Sequence, residues 1–381
     1  MLRRFVLPVL LLLAGLAYGS AAAQSGLDRL SRADPARAVL VAPPFAASAA
    51  NARARIALLA KQYPLARDLA RVAVVRTPIE AQASSTLGSA LLSMEDFKGA
   101  EAAFRVAVQG GWRDNPTQAY WATAAIGSGE FPAAAQRIDA MLRVGAPLAT
   151  IDPLLANLEA SPPGRQALAG QMAAGAPWVS AYAAASGAAP ATRMPQQLAV
   201  LAEARKQGAR ADCGPVSDAL NTLAYKQQRM QDAYLLWSVA CSETYPPAAI
   251  ANGDFAEPVR PFINPFDWQL PPSGAAWAEI RGGALETGND GDKPAVVARI
   301  AAHLPPGNGR LTWRLDGPRQ QRMVELRCGQ ADLAAGELRK LGDVYELPVR
   351  VPADCPFATI EVIAEPGQPT LRYESVGFGA P

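Results

Sequence analysis

A period of 34 residues in the first half of the chain most constrains its fold. Tyr63, Phe97 and Phe131 are each 34 residues apart, and small residues recur between them. Such self-similarity is typical of stacked helical hairpins, because a single hairpin cannot bury its apolar face alone. Small side chains let two helices approach closely, while large ones fill the gaps beside them. The predicted packing residues are Tyr63, Leu87, Gly88, Phe97, Ala100, Phe104, Phe131 and Ala134.

The middle copy, with Leu87-Gly88 followed by Ala100, Phe104 and Ala107, resembles the tetratricopeptide repeat. The resemblance implies an α-solenoid over residues 49–247, with a protein partner held in its groove. The alternative is that the repeats only support the other domain. The groove residues expected on the first helices are Gln82, Ser85, Ser89, Gln118, Thr123 and Asn221.

A fourth copy of the pattern contains Trp237 at the position of Phe104, and two cysteines flank it. Cys213 precedes its first helix and Cys241 follows its second, so the two thiols lie at neighbouring ends of an antiparallel hairpin. Four cysteines allow three pairings. The separations of 28 and 27 residues favour two local bridges, Cys213–Cys241 and Cys328–Cys355.

Residues 1–23 are typical of an export signal. Arg3 and Arg4 precede an apolar run too short to cross a bilayer comfortably, and Ala21-Ala22-Ala23 fits a cleavage site before Gln24. The alternative is an uncleaved membrane anchor. An even number of cysteines agrees with an oxidising compartment, so we expect a periplasmic or secreted protein without a membrane span after cleavage. Residues 24–48 are then a linker.

Charge and motifs exclude several functions. The chain has 36 basic and 34 acidic residues, and loss of Arg3 and Arg4 leaves 34 of each. A neutral mature chain is unlike a nucleic-acid-binding protein. His303 is the single histidine, and no phosphate-binding loop, GxSxG or HExxH motif occurs. We therefore expect neither an enzyme nor a metal centre.

After residue 247 the helical period stops and short alternating runs begin, separated by turn signals such as residues 306–309. This texture predicts an antiparallel β-sandwich over residues 248–381, and hence a multi-domain chain, α then β. Trp313 has the phase of a core residue, and Trp268 is expected to plug the core. The candidate strands are 275–280, 295–301, 310–315, 323–328, 345–351, 357–364 and 370–378.

The opening of this part, Asn252-Gly253-Asp254-Phe255 followed by Trp268, resembles galactose-binding-like jelly rolls, which include many carbohydrate-binding modules. Helical repeats before such a sandwich are similar to bacterial exopolysaccharide-associated proteins. The family resemblance implies glycan binding and a structural calcium ion. Apart from calcium we expect no cofactor. The alternative to a calcium site is that residues 289–292 form a plain acidic turn. The oxygen donors are Asp254, Glu257, Asn289, Asp290 and Asp292.

Strand alternation selects the residues that could contact a glycan. Trp277 is in phase with Glu279 and Arg281, so it is expected to face water. Other predicted strands also carry charged residues at alternate positions, such as Arg299 and Glu325/Arg327. If these residues share the sheet face of Trp277, they form a polar surface around an aromatic platform. The alternative is an ordinary solvated face. The candidates are Trp277, Glu279, Arg281, Arg310, Arg314 and Arg350.

The sequence thus predicts an exported, non-enzymatic accessory protein, whose solenoid binds a protein partner and whose sandwich binds glycan in exopolysaccharide assembly or export. Two alternatives stay open. The first is a structural scaffold for protein contacts that binds no glycan. The second is a polysaccharide hydrolase or lyase, although no pair of carboxylates stands out for that chemistry.

Overall fold

The computed structural model describes residues 2–243, 247–259, 264–271, 274–316 and 323–379, without the side chains of residues 2–9 and 368. The predicted α-then-β fold class is confirmed. The chain forms two compact units, Met1–Ala167 and Leu168–Pro381. The α-helices are α1 Leu2–Leu30, α2 Ser48–Leu59, α3 Tyr63–Arg76, α4 Ala81–Ser93, α5 Phe97–Ala107, α6 Asn115–Gly127, α7 Phe131–Arg143, α8 Leu148–Glu159, α9 Pro162–Ala173, α10 Val179–Ser186, α11 Met194–Lys206, α12 Cys213–Asn221 and α13 Met230–Ala240.

The 34-residue period is that of helical hairpins. The second helices α3, α5 and α7 begin at Tyr63, Phe97 and Phe131, and each follows a first helix in the same hairpin. Gly88 shows why the small positions matter: a Cβ there would lie 2.9 Å from the ring of Phe104, closer than packing allows. The second helices bury Ala66, Ala70 and Ala73, then Ala100, Phe104 and Ala107, then Ala134, Ile138 and Met141.

Some predicted roles in this unit differ from the structure. Phe97 begins a helix but is 64% exposed, so it does not have the packing role that the repeat predicted. Ser85 and Gln118 are not groove residues, since both are buried. Gln118 accepts a hydrogen bond from Arg137 at 2.8 Å and donates one to the carbonyl of Gly111, which ties it to the interior.

The N-terminal segment continues into the first unit. The side chains of Arg3 and Arg4 lie outside the described residues, but α1 is helical throughout. By length and apolar composition its stretch Leu10–Leu30 could cross a membrane; most of this stretch is exposed, but Asp28 near its end is buried. The carboxylate of Asp28 accepts three backbone N–H groups at the start of α2, so the segment expected as a linker is packed.

The strands form two antiparallel sheets around one core. Sheet A has the order β3-β9-β5-β6, and sheet B the order β1-β2-β10-β4-β8-β7. Their inner faces bury Trp313 with Tyr345, Leu311, Ile300 and Ile360. The strands are β1 Ala276–Arg281, β2 Ala284–Asn289, β3 Ala295–His303, β4 Gly307–Asp316, β5 Val324–Cys328, β6 Ala331–Asp332, β7 Arg339–Leu341, β8 Val344–Val351, β9 Phe357–Ala364 and β10 Gln368–Gly379.

The observed strands differ from the predicted ones mainly where glycines occur in the sequence. β2 was not expected, and the turn predicted at residues 306–309 is instead largely the start of β4. Gly309 is buried there against the ring of Phe378, which leaves no room for a side chain. The core roles predicted for Trp313 and Trp268 are confirmed, and Trp268 donates a hydrogen bond to the carbonyl of Asn252 at 3.1 Å.

Both local disulfides are present, as the spacing predicts. Cys213–Cys241 closes the α12–α13 hairpin with a Cα–Cα distance of 5.3 Å, and Cys328–Cys355 joins the end of β5 to the segment before β9. The hairpin also contacts the outer face of sheet A. Tyr234 stacks on His303 with centroids 4.6 Å apart and meets Phe357 edge-on at 5.5 Å. One end of this face is therefore covered by helix.

Candidate functional site

The six candidate residues all lie on the outer face of sheet B. On β4, Leu311, Trp313 and Leu315 are buried, so the alternate residues Arg310 and Arg314 face outward. The register pairs Arg310 with Pro348 on β8 and places Arg350 on the same side. On β1, the exposed alternation likewise turns Trp277, Glu279 and Arg281 outward. Strand pairing thus brings residues from three distant segments onto one surface.

Trp277 lies across a glycine in the neighbouring strand. It pairs with Gly288 in the β1–β2 ladder, and a Cβ on Gly288 would lie 2.6 Å from Nε1 of the indole. The missing side chain lets the ring lie flat on the strand, while 38% of the residue stays exposed. A flat, half-exposed aromatic ring can stack against the apolar C–H face of a sugar.

The charges on this face are arranged in pairs. Arg281 contacts Glu279 at 3.1 Å, Arg314 contacts Asp343 at 3.0 Å, and Arg310 lies 3.8 Å from Glu346. Because each of these cations has a carboxylate partner, the surface offers donors and acceptors without a large net field. Such a surface matches hydroxyl groups better than a polyanion.

The candidates are spread over a broad platform. β1 and β4 are separated by β2 and β10, so the two strands lie about 14 Å apart, and the register displaces Arg314 and Arg310 further from Trp277 along the strands. Over β10 and β4 a cavity of about 450 Å³ opens, lined in part by Gly253, Thr312 and Gly377. The arrangement can accommodate an extended chain along the face with one aromatic contact at its edge.

Sequence reasoning missed two features of this site. Glu286 and Gly288 belong to the unexpected strand β2, and Glu286 forms an ion pair with Arg372 at 3.0 Å. The alternation of Leu285 with Glu286 was a signal for this strand, but the surrounding glycines indicated turns. The expectation that all the charged strand positions share one sheet face with Trp277 was wrong in part. Arg299, Glu325 and Arg327 lie on sheet A, whereas Trp277 lies on sheet B.

Two of the five predicted oxygen donors, Asn289 and Asp254, form hydrogen bonds within the protein. The buried amide of Asn289 donates to the carbonyls of Lys293 and Ala364, both at 2.8 Å, and accepts from the backbone of Gly291. Asp254 accepts a long backbone hydrogen bond from Ala256. Among the described residues, no group of three or more His, Cys, Asp or Glu side chains is placed to hold a metal ion.

No protein-family model matches the chain, and no curated protein matches its sequence. Neither the tetratricopeptide-like pattern nor the galactose-binding-like opening is thereby assigned to a family.

Proposed function

We propose that this is an exported, non-enzymatic accessory protein that binds glycan on the outer face of sheet B and a protein partner through its helical repeats. The observation that carries the glycan half is the indole of Trp277 lying across Gly288, exposed on a face of paired charges. Aromatic rings beside hydrogen-bonding side chains suit sugars, which have apolar C–H faces and many hydroxyls.

Export is supported by the N-terminal apolar helix and by the two disulfides, which persist in oxidising compartments. A periplasmic or secreted location follows from the proposal, and exopolysaccharide assembly or export is the process that such a glycan-binding protein would serve.

Exposed apolar side chains of the first unit support the partner half. Ile79 is 91% exposed, and Val75, four residues before it near the end of α3, is 80% exposed. Large apolar side chains in water are costly, and where they gather they mark surfaces that other proteins cover. Photo-crosslinking from position 79 in living cells should yield a discrete adduct that is absent from position 343 on the second unit.

The glycan half is tested by affinity electrophoresis of the mature chain, from Gln24 onward, in gels containing neutral and acidic bacterial polysaccharides. Trp277→Ala should weaken binding by at least about tenfold, because the stacking platform is lost. Trp112→Ala is the matched control, since Trp112 is 53% exposed but lies in the first unit, and its binding should be unchanged.

Absence of retardation by every polysaccharide would leave only the scaffold alternative. New reducing ends or unsaturated products in the same mixtures would instead show a hydrolase or lyase. Equal binding by the wild type and Trp277→Ala would remove sheet B from the glycan site.

A further inference from the structure

A second cavity, of about 460 Å³, opens on the outer face of sheet A beside the covered end. Its floor is formed by two neighbouring cross-strand pairs, Ala301 with Thr359 and Arg299 with Glu361. The small side chain of Ala301 leaves the space open, and Tyr225 forms a wall. The volume lies in the range of sites for small molecules.

Arg299 is held in a fixed orientation. Its backbone exchanges two hydrogen bonds with Gln269, at 2.8 and 2.9 Å, and its Nε donates to the side-chain oxygen of Gln269 at 3.0 Å. Gln269 is itself buried and donates to the carbonyl of Asn264 at 2.8 Å. Both terminal nitrogens of Arg299 lack a partner in the described part of the chain. They form a pre-positioned fork that matches a carboxylate.

The neighbouring carboxylate, Glu361, is already engaged. Its Oε2 lies 3.2 Å from Arg327, which also contacts Glu325 at 2.6 Å. In the described part of the chain Glu361 forms its ion pair with Arg327 and not with Arg299, and its second oxygen can accept a hydrogen bond from a hydroxyl group. The two glutamates would repel a doubly charged phosphate more strongly than a singly charged carboxylate.

Tyr225 is presented by an unusual turn. It lies in the π-helical segment Thr222–Lys226 after α12, which the backbone N–H of Gln227 closes by donating to the carbonyl of Thr222. π-Turns are rare and occur frequently at functional sites. The residue is 52% exposed, so its ring and hydroxyl are accessible from the cavity.

We propose that this cavity binds a carboxylated sugar residue, of the hexuronate type. The carboxylate would lie on the fork of Arg299, the ring face on Tyr225, and hydroxyl groups on Glu361 and Thr359. The inference rests on the proposed glycan-binding function and adds a second site on the opposite sheet, so each site can fail without the other.

The test is calorimetric titration of the mature chain with oligogalacturonate, oligoglucuronate and alginate oligomers, and with the methyl ester of whichever binds. Arg299→Gln should weaken acid binding by at least about tenfold, because a charge-assisted bidentate contact is lost. Arg299→Lys should restore part of it, as the charge remains without the fork. Tyr225→Ala should weaken binding more than Tyr225→Phe does. Esterification should abolish the effect of Arg299.

Arg105→Gln is the matched control, because Arg105 is an exposed, ion-paired arginine of the first unit, and it should leave uronate affinity unchanged. Thermal unfolding of each variant checks that it is folded. Absence of binding by all three acidic oligomers overturns the proposal, as does equal affinity of wild type and Arg299→Gln. Tighter binding of glucose 6-phosphate than of glucuronate would also overturn it. Uronate binding that depends on Trp277 but not Arg299 would reject this site while keeping the proposed function.

Discussion

The outer faces of the two sheets differ in what stabilises them. On sheet A, Tyr234 and Trp237 of the helical hairpin form an aromatic cluster with Phe266, His303 and Phe357. On sheet B, several outward arginines are paired with carboxylates at the surface, as for Arg314 with Asp343 and Arg372 with Glu286. Both disulfides also belong to the sheet A side: one closes the hairpin, and the other joins β5 to the segment before β9.

The two outer faces therefore differ in how strongly they are stabilised. Aromatic burial and cross-links contribute far more stability than exposed ion pairs, so sheet A has the stronger stabilisation of its outer face. The sheet B face is left open and adaptable, which suits a binding surface. Stability and binding should therefore respond differently to substitutions on the two sides.

The largest contrast is expected between two tryptophans. Trp237→Ala should lower the free energy of unfolding by about 3–5 kcal/mol, because the buried ring leaves a cavity beside Tyr234 and Phe266. Trp277→Ala on sheet B should cost about 1–2 kcal/mol, as the ring is partly exposed. Urea unfolding followed by far-UV circular dichroism measures both. Equal losses would contradict the proposed difference between the faces.

The hairpin disulfide gives the next contrast. The double variant Cys213→Ala, Cys241→Ala should be less stable by about 2–4 kcal/mol, since the unfolded chain gains freedom over 28 residues. Arg314→Ala, which breaks the exposed pair with Asp343, should change stability by less than about 1 kcal/mol. Chemical denaturation under non-reducing conditions compares them. If the double variant loses less than about 2 kcal/mol of stability, the hairpin is held mainly by its aromatic contacts.

Periodicity and alternation predicted much of this arrangement. The spacing of Tyr63, Phe97 and Phe131 predicted helical hairpins, because helix packing repeats locally along the chain, and each of these residues begins the second helix of a hairpin. Alternation assigned Trp313 to the core and Trp277 to the outside. The cover on sheet A was not predictable in this way, since Tyr234 meets His303 and Phe357 only through folding of distant segments. Local patterns show that a side chain leaves the core, but not what lies over it.

The interior beneath sheet B supplies a pH-dependent prediction. Tyr373 is fully buried, and its hydroxyl has no hydrogen-bond partner among the described residues. Burial, with a smaller contribution from Tyr345, raises the pKa of Tyr373 far above its ordinary value of 10.0. The folded state therefore favours the protonated phenol, and its stability falls as the pH rises above about 10, where the unfolded tyrosine ionises.

Tyr373→Phe removes this ionisation and an unsatisfied polar group. Near pH 7 it should change stability by only about 1 kcal/mol or less. Its advantage over the wild type should grow as the pH rises above 10, which thermal unfolding at pH 7, 9, 10 and 11 would measure. Tyr225→Phe is the matched control, because Tyr225 is exposed. Parallel pH profiles for wild type and Tyr373→Phe would refute the assignment.

The smallest change in stability is expected for Gly288→Ala on sheet B. This variant tests whether the orientation of the Trp277 ring matters for glycan binding while the protein stays folded. Gly288→Ala adds one methyl group that would lie 2.6 Å from Nε1 of Trp277, so the indole must lift from the strand. Alanine favours extended backbone more than glycine, which offsets part of the contact cost, and the net change should stay within about 1 kcal/mol. Glycan affinity should nevertheless fall by several-fold, since the ring no longer presents the same flat face.

Gly379→Ala is the control, because a Cβ there meets no neighbouring atom. Unchanged retardation of Gly288→Ala in the polysaccharide gels, with weakened Trp277→Ala, would show that the ring matters but its orientation does not.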